Sequence, residues 1–361
     1  MIALAVAGTR PEIIKTAPVV AALRARGHTV KVAWSGQHTT LSYQMLEHFP
    51  CMAPTITTTM QRDTNSIYDL SAALLSAKRA IDAAKPDVVL VQGDTATAYF
   101  TALAAFYEGV PVAHIEAGLR SGNIREPFPE EMYRQQIDRL ATYNFAPTKG
   151  ALVNLDDVGV DRRNSYIVGN TVVDALYSIL PKLPAGSFRS YPYILFTRHR
   201  RENLPDSRLV AVNAAIEALI EAGHTVIHPG HPNSGAATYD RPRYENTGPL
   251  PYLQTIHAIR DAACIITDSG GIQEEAAVLG VPCVVIRNQT ERPEAGGVVV
   301  GTNTQRIVDA VKAALAAPLP RYDGALGTGN SGETIARLLE GALDFKHEAP
   351  TCAHACVWQP S

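Results

Sequence analysis

Carboxylates at three places, Asp94, Glu116 and the pair Glu130-Glu131, stand where a chain of this pattern gathers acids at one edge of a sheet. Asp94 follows the apolar run Val88–Gln92, and Glu116 follows the run Val112–Ile115. A helical stretch from Thr95 to Tyr107 separates the two. Parallel strands joined through a helix end on the same edge, where ligands of open α/β folds bind. The loop GNIREPFPEE (122–131) then carries Glu130 and its neighbour Glu131 out of the sheet. Acids converging on one crevice suit proton transfer at carbon or the holding of cations. The plainer alternative is that Asp94 only caps the helix at Thr95 and the glutamates are solvated.

Cations stand at matching places. In GTRPEIIK (8–15) a glycine turn opens a helix, so free backbone N–H groups, Arg10 and Lys15 outline an anion site. In TDSGGIQEE (267–275) a strand ends in Ser269-Gly270-Gly271, where phosphate oxygens can approach backbone that has no Cβ. Glu275, further along that helix, is placed to accept both hydroxyls of a ribose, and TERPEA (290–295) brings Arg292 to the same rim. His199, between arginines in TRHRREN (197–203), could neutralise a diphosphate or protonate a leaving group. His228 and His231 of HPGHPN have no carboxylate neighbour and read as structural. Together these clusters suggest a nucleoside diphosphate held mainly by the second half, its distal group reaching the acids of the first. The glycine turn after the first strand is not the G-x-G-x-x-G fingerprint that a bound dinucleotide calls for at such a strand-to-helix junction.

The elements that must position these residues alternate throughout. Ile2–Ala7 reads as the first strand, followed by a helix that Pro18 should kink or restart. Val30–Trp34 is the second strand, 51–66 is Thr-rich and irregular, and Tyr68–Ala84 is an amphipathic helix. Tyr133–Tyr143 is helical, and 181–192 is a Pro/Gly/Ser-rich linker. The second half repeats the grammar: strand Ile194–Thr197, helix Arg208–Ala222, strand CIITD, helix SGGIQEEAAVLG, strand VPCVVIR and two closing helices. This predicts an α/β protein of two Rossmann-like, doubly wound parallel-sheet domains facing a central cleft.

Composition sets the outer limits. A chain of 361 residues with 46% hydrophobic and 19% charged residues has enough apolar material for two cores. A formal charge of −3 gives no global field for nucleic acid or an anionic membrane, so anions must be bound by local clusters. The five cysteines are scattered; Cys264 and Cys283 lie in apolar runs, and the tail CAHAC lacks zinc spacing. The start, MIALAVAGTRPE, reads as a buried strand and not a signal peptide, and no run approaches the ~20 apolar residues of a membrane span. A soluble, cytoplasmic protein is expected.

The segments GTRPEIIKTAP, SGQH, VQGDTATA, HIEAGLRSG, PFPEE, VGNTVVDAL, HRREN and TDSGGIQEEAAVLGVPCVVIRNQTERPEA resemble, in order, the non-hydrolysing UDP-N-acetylglucosamine 2-epimerases. The resemblance implies a GT-B type fold, usually a homodimer, with domains over 1–168 and 169–332. A last helix at about 333–346 should pack back on the first domain, and 347–361 should form a tail. It implies reversible conversion of UDP-N-acetylglucosamine to UDP-N-acetylmannosamine, with no NAD and no metal, through anti elimination of UDP and re-addition. By position, Asp94, Glu116, Glu130 and His199 match the catalytic residues. Arg10, Lys15, Arg134, Ser269, Gly270, Gly271, Glu275 and Arg292 match contacts to UDP and substrate. The chain departs from the pattern at Tyr133 (asparagine is usual), Arg198 (glycine is usual) and Thr255 (an aromatic residue near the uracil is common). Gln37 and His231 remain, but TTLSY after SGQH and the loop QRDTNS argue against activation by a second substrate molecule. LGTGNSGET replaces the NPYGDG-like segment. A hydrolysing relative, a 2-epimerase of a modified sugar, a glycosyltransferase and a nucleotide-sugar-binding regulator are the alternatives.

Overall fold

Two all-parallel sheets carry the chain in the computed structural model, which describes residues 1–35, 43–57, 67–198, 206–230 and 242–347. The first contains β1 (Ile2–Ala7), β2 (Thr29–Trp34), β3 (Ile56–Thr57), β4 (Val88–Gln92), β5 (Val112–Ile115), β6 (Tyr143–Ala146) and β7 (Ser165–Ile167). Its order is β3-β2-β1-β4-β5-β6-β7. Its helices are α1 (Arg10–Ala25), α2 (Ile67–Ala84), α3 (Ala96–Tyr107), α4 (Glu130–Leu140), α5 (Lys149–Asp157) and α6 (Thr171–Ile179). The second sheet contains β8 (Ile194–Thr197), β9 (Val226–His228), β10 (Tyr244–Asn246), β11 (Cys264–Thr267), β12 (Cys283–Val285) and β13 (Val298–Val299). Its order is β10-β9-β8-β11-β12-β13. Its helices are α7 (Asp206–Glu221), α8 (Tyr252–Arg260), α9 (Gly270–Leu279) and α10 (Thr304–Ala316); α11 (Ser331–His347) closes the described chain.

The central strands are continuous apolar runs because helices cover both their faces. Every residue of β4, β8 and β11 is buried. In both sheets the winding reverses direction once, between β1 and β4 and between β8 and β11. The loops beyond these switch points cannot cover one another, and a crevice opens there. Gly8-Thr9 and Gly93-Asp94 flank the first crevice; Arg198 and Asp268-Ser269 flank the second. Fold class, the central strands and the placing of Asp94 and Glu116 just after β4 and β5 thus agree with the sequence reading.

Several boundaries differ. Helix α1 runs unbroken through Pro18. Opposite this turn a Cβ on Gly332 of α11 would meet the Pro18 backbone at 2.7 Å, so the two helices pack tightly there. The Thr-rich segment supplies β3 on the sheet edge, where a two-residue strand leaves no periodicity to read; 58–66 lie outside the described residues. Strands β10 and β13 were missed for the same reason. Helix α4 begins at Glu130, three residues before the expected start, and ends at Leu140.

Helix α11 returns to the first sheet. It lies on α1 and α6, with Ile335, Ala336 and Leu339 in the cluster that contains Val19, Val20 and Leu176. Arg26 pairs with Glu333 at 2.8 Å and also with Glu340, and the Gly332 amide donates to Asp174 at 2.9 Å. Gly332→Val should therefore cost about 1–3 kcal/mol through overpacking, read as a lower urea midpoint at unchanged m. Among the described residues no helix is long and apolar enough to cross a membrane.

Candidate functional site

Glu12 shapes the first rim. Its Oε2 accepts from the Gly8 amide (2.9 Å), the Thr9 amide (2.7 Å) and the Thr9 hydroxyl (2.8 Å). Its Oε1 accepts from the Thr95 hydroxyl at 2.6 Å. One buried carboxylate so ties the β1–α1 turn to the β4–α3 turn. This corrects the expectation of free N–H groups at Gly8-Thr9, because Glu12 already takes them. Thr95, not Asp94, caps α3, accepting from the Ala98 amide at 3.0 Å.

Asp94 is thereby left to pair with Arg134 across the rim. Arg134 is almost wholly buried and also donates to Glu131 at 2.5 Å. Glu131, itself 0% exposed, accepts from the Ser121 amide (3.1 Å) and the Gln135 amide group (3.0 Å). Glu130 opens α4 half-buried, one residue before the glutamate that anchors Arg134. Tyr133 stacks on Tyr99 at 4.9 Å and meets Phe100 edge-on, so α3–α4 packing absorbs this departure from the family pattern.

Glu116 is the centre of the cluster. Its φ of 70° is left-handed, a conformation that costs energy for a residue with a Cβ and recurs at functional sites. Lys15 donates to its Oε2 at 2.5 Å, Gln92 to the same oxygen at 2.9 Å, and Arg292 to Oε1 at 2.9 Å. Burial pushes the Glu116 carboxyl up, but Lys15 and Arg292 outweigh it and hold the group below the ordinary carboxylate value. Burial likewise opposes the charge on Lys15, and Glu116 with Glu274 more than restores it. Beneath, the buried His114 ring lies 2.8 Å from both Asp138 and the Gly93 carbonyl, joining the loops that carry Asp94 and Glu116. Arg120 completes this network on Asp138 at 2.7 Å.

The second half closes the site from the other side. Ser269 caps α9. Gly270 is glycine because the Arg292 guanidinium lies over it; a Cβ there would come within 2.4 Å of Nη1. The open approach expected for phosphate remains beside Gly271, where a Cβ would come no closer than 3.9 Å to the Ser269 hydroxyl. Arg292 donates to Glu274 at 2.6 Å and also pairs with Glu291. Arg10 reaches from α1 to lie 5.1 Å over the Tyr252 ring. Thr255 turns its hydroxyl back onto the Leu250 and Pro251 carbonyls of its own helix start.

Glu275 is buried next to Tyr252. Burial raises its pKa to about 7, against the pull of Arg10. The folded value lies above the ordinary 4.5, so the folded chain takes up a proton that the unfolded chain releases. Stability then falls as pH rises from about 4.5 to 7 and stays lower above. Glu275→Gln should gain about 3 kcal/mol at pH 8 and nothing at pH 4, measured by urea unfolding at both.

The structure brings Lys15, Glu116 and Arg292 into contact, links Asp94 to Arg134, and sets Arg10 beside Tyr252 and Glu275. His199 lies outside the described residues, as do Gln37, His231 and the CAHAC tail. His228 is buried against the Tyr244 hydroxyl at 2.5 Å. Sequence reasoning places Glu131 beside Glu130 but prefers Glu130, and it misses Glu12, Gln92, His114, Glu274 and Glu291. Among the described residues no group of His, Cys, Asp and Glu is placed to hold a metal ion.

A family model described as UDP-N-acetylglucosamine 2-epimerase matches residues 21–340. The UDP-N-acetylglucosamine 2-epimerase of Campylobacter jejuni is 38% identical over 334 residues, spanning 84% of this chain and 87% of that protein. The Neisseria meningitidis UDP-GlcNAc 2-epimerase, solved with UDP-GlcNAc bound, is similar at a TM-score of 0.86 and 31% identity, over 94% of this chain and 100% of that one. The Methanocaldococcus jannaschii enzyme, solved with UDP-GlcNAc and UDP, gives 0.88 and 32% over the same shares.

Proposed function

The chain belongs to the UDP-N-acetylglucosamine 2-epimerase family, and from that premise we propose that it interconverts UDP-N-acetylglucosamine and UDP-N-acetylmannosamine without releasing free sugar. The observation that supports this most is the contact of Glu116 with Lys15 and Arg292. It joins an acid at the first crevice to cations suited to a diphosphate.

The C2–H of the hexose is hardly acidic, since no carbonyl adjoins it. Departure of UDP changes that. As the C1–O bond breaks, its electron pair leaves on the phosphate oxygen and C1 becomes cation-like. A carboxylate then takes the C2 proton, and the C–H electrons form the C1=C2 bond of a 2-acetamidoglucal. In the return step the phosphate oxygen adds to C1, and an acid delivers a proton to the opposite face of C2. Asp94, Glu116 and Glu130 are the proposed acids and bases. Arg10, Lys15, Arg134 and Arg292 take the diphosphate charge; Ser269, Gly270, Gly271 and Glu275 hold the nucleotide. His199 enters this reading from its sequence position alone. The sequence balances without hydride transfer or a metal, so neither NAD nor a metal belongs to the proposal. Homodimer formation does, and the adjacent helices α2 and α3 expose Leu75, Phe106 and Tyr107, which suits it.

Incubation with UDP-N-acetylglucosamine in deuterated water tests the reading. UDP-N-acetylmannosamine carrying deuterium at C2 is expected. Free UDP accumulating in phosphorus NMR with free N-acetylmannosamine would assign the hydrolysing reaction instead.

A further inference from the structure

The cations assigned to the diphosphate already have partners, and one of these partners is a buried carboxylate with no part in the proposed chemistry. Glu274 has a side chain 1% exposed, on α9. Its Oε2 lies 2.6 Å from Lys15 Nζ of the first domain. Its Oε1 accepts from Arg292 Nε at 2.6 Å and from Asn170 Nδ2 at 3.0 Å. Arg292 is shared further, with Nη2 on Glu116 and Nη1 on Glu291. Lys15, Arg292, Glu116 and Glu274 thus form a closed square, with two members from each half of the chain.

Phosphate and carboxylate oxygens seek the same N–H donors in the same geometry. A diphosphate that binds Lys15 and Arg292 must draw donors away from the carboxylates that hold them. We propose that Glu274 is a positioning residue and a built-in competitor: it fixes Lys15 and Arg292 across the cleft, and yields them when a nucleoside diphosphate enters. This rests on the function proposed above. Its consequence is that the enzyme holds UDP less tightly than its cations allow. A reaction that expels UDP, takes it back and finally lets the nucleotide sugar go needs that restraint.

Glutamine at 274 keeps the volume and an acceptor for Arg292 and Asn170 but removes the charge. Lys15 and Arg292, left with less compensation in a buried site, then favour an incoming anion. Calorimetric titration of the full chain with UDP should show Glu274→Gln binding about tenfold more tightly than wild type or better, since a like charge beside a bound anion weakens its hold. Uridine, which has no phosphate, should gain nothing, and kcat should fall as release slows. Glu274→Asp, which draws the carboxylate back but keeps its charge, should fall between the two and carries the test if the glutamine variant fails to fold. UDP affinity equal to or weaker than wild type in either folded variant overturns the proposal, because a merely structural glutamate predicts that result. A wild-type protein that neither binds UDP nor epimerises would refute the functional reading itself, a distinct outcome.

Discussion

Asp94→Asn is expected to fold as the wild type does and to turn over UDP-N-acetylglucosamine about 10²- to 10⁴-fold more slowly, the range set by loss of one general acid or base. Folding should survive because the Asp94 side chain is 24% exposed and asparagine still offers an oxygen to Arg134. What disappears is a carboxylate able to exchange a proton with carbon. Two readouts separate its possible places in the cycle. Loss of both epimerisation and C2 deuterium uptake assigns Asp94 to proton removal from UDP-N-acetylglucosamine. Deuterium uptake retained while epimerisation is lost assigns it to the opposite face. A kcat within threefold of wild type would remove Asp94 from the chemistry and leave it as a partner of Arg134.

Arg134→Met should be costly in another way. The arginine is buried between Asp94 and the fully buried Glu131, and removing one member of a buried pair leaves the other charge uncompensated. About 3–5 kcal/mol of stability is expected to go, read from urea unfolding. Adding Glu131→Gln to that variant should recover much of it, since glutamine is neutral yet still accepts from the Ser121 amide. Activity should not return, because Asp94 has lost the group that aims it. Recovery of both would show that Arg134 serves stability only.

The path from sequence to site was clear where the strands are strong. Val88–Gln92 and Val112–Ile115 are largely apolar runs, so the sequence alone assigns Asp94 and Glu116 to one edge. Lys15, Arg292 and the Ser269 turn followed from the same logic. Adjacent acids were harder. Neighbours on a helix point about 100° apart, and which one faces inward depends on the helix phase set by tertiary packing. Of Glu130 and Glu131, the second proved to be the anchor of Arg134; Glu274 and Glu275 both turn inward. Glu12 did leave a signal, since Thr9-Arg10-Pro11-Glu12 has the spacing of a capping box. That signal predicts that the N–H groups at the turn are already used. His114 left none. A histidine within an apolar strand is indistinguishable from any buried residue until its two ring nitrogens are seen against Asp138 and Gly93.

The return of α11 to α1 bears on how this protein is made. The first sheet is translated early, yet Ile335, Ala336 and Leu339, which cover one side of α1, emerge from the ribosome only after the entire second sheet. Until then the face of α1 that these three residues cover is open, and the nascent first half exposes apolar surface. Separate expression of the two halves, cut within 181–192, should therefore give an aggregating amino-terminal fragment, unless residues 331–347 are grafted onto it.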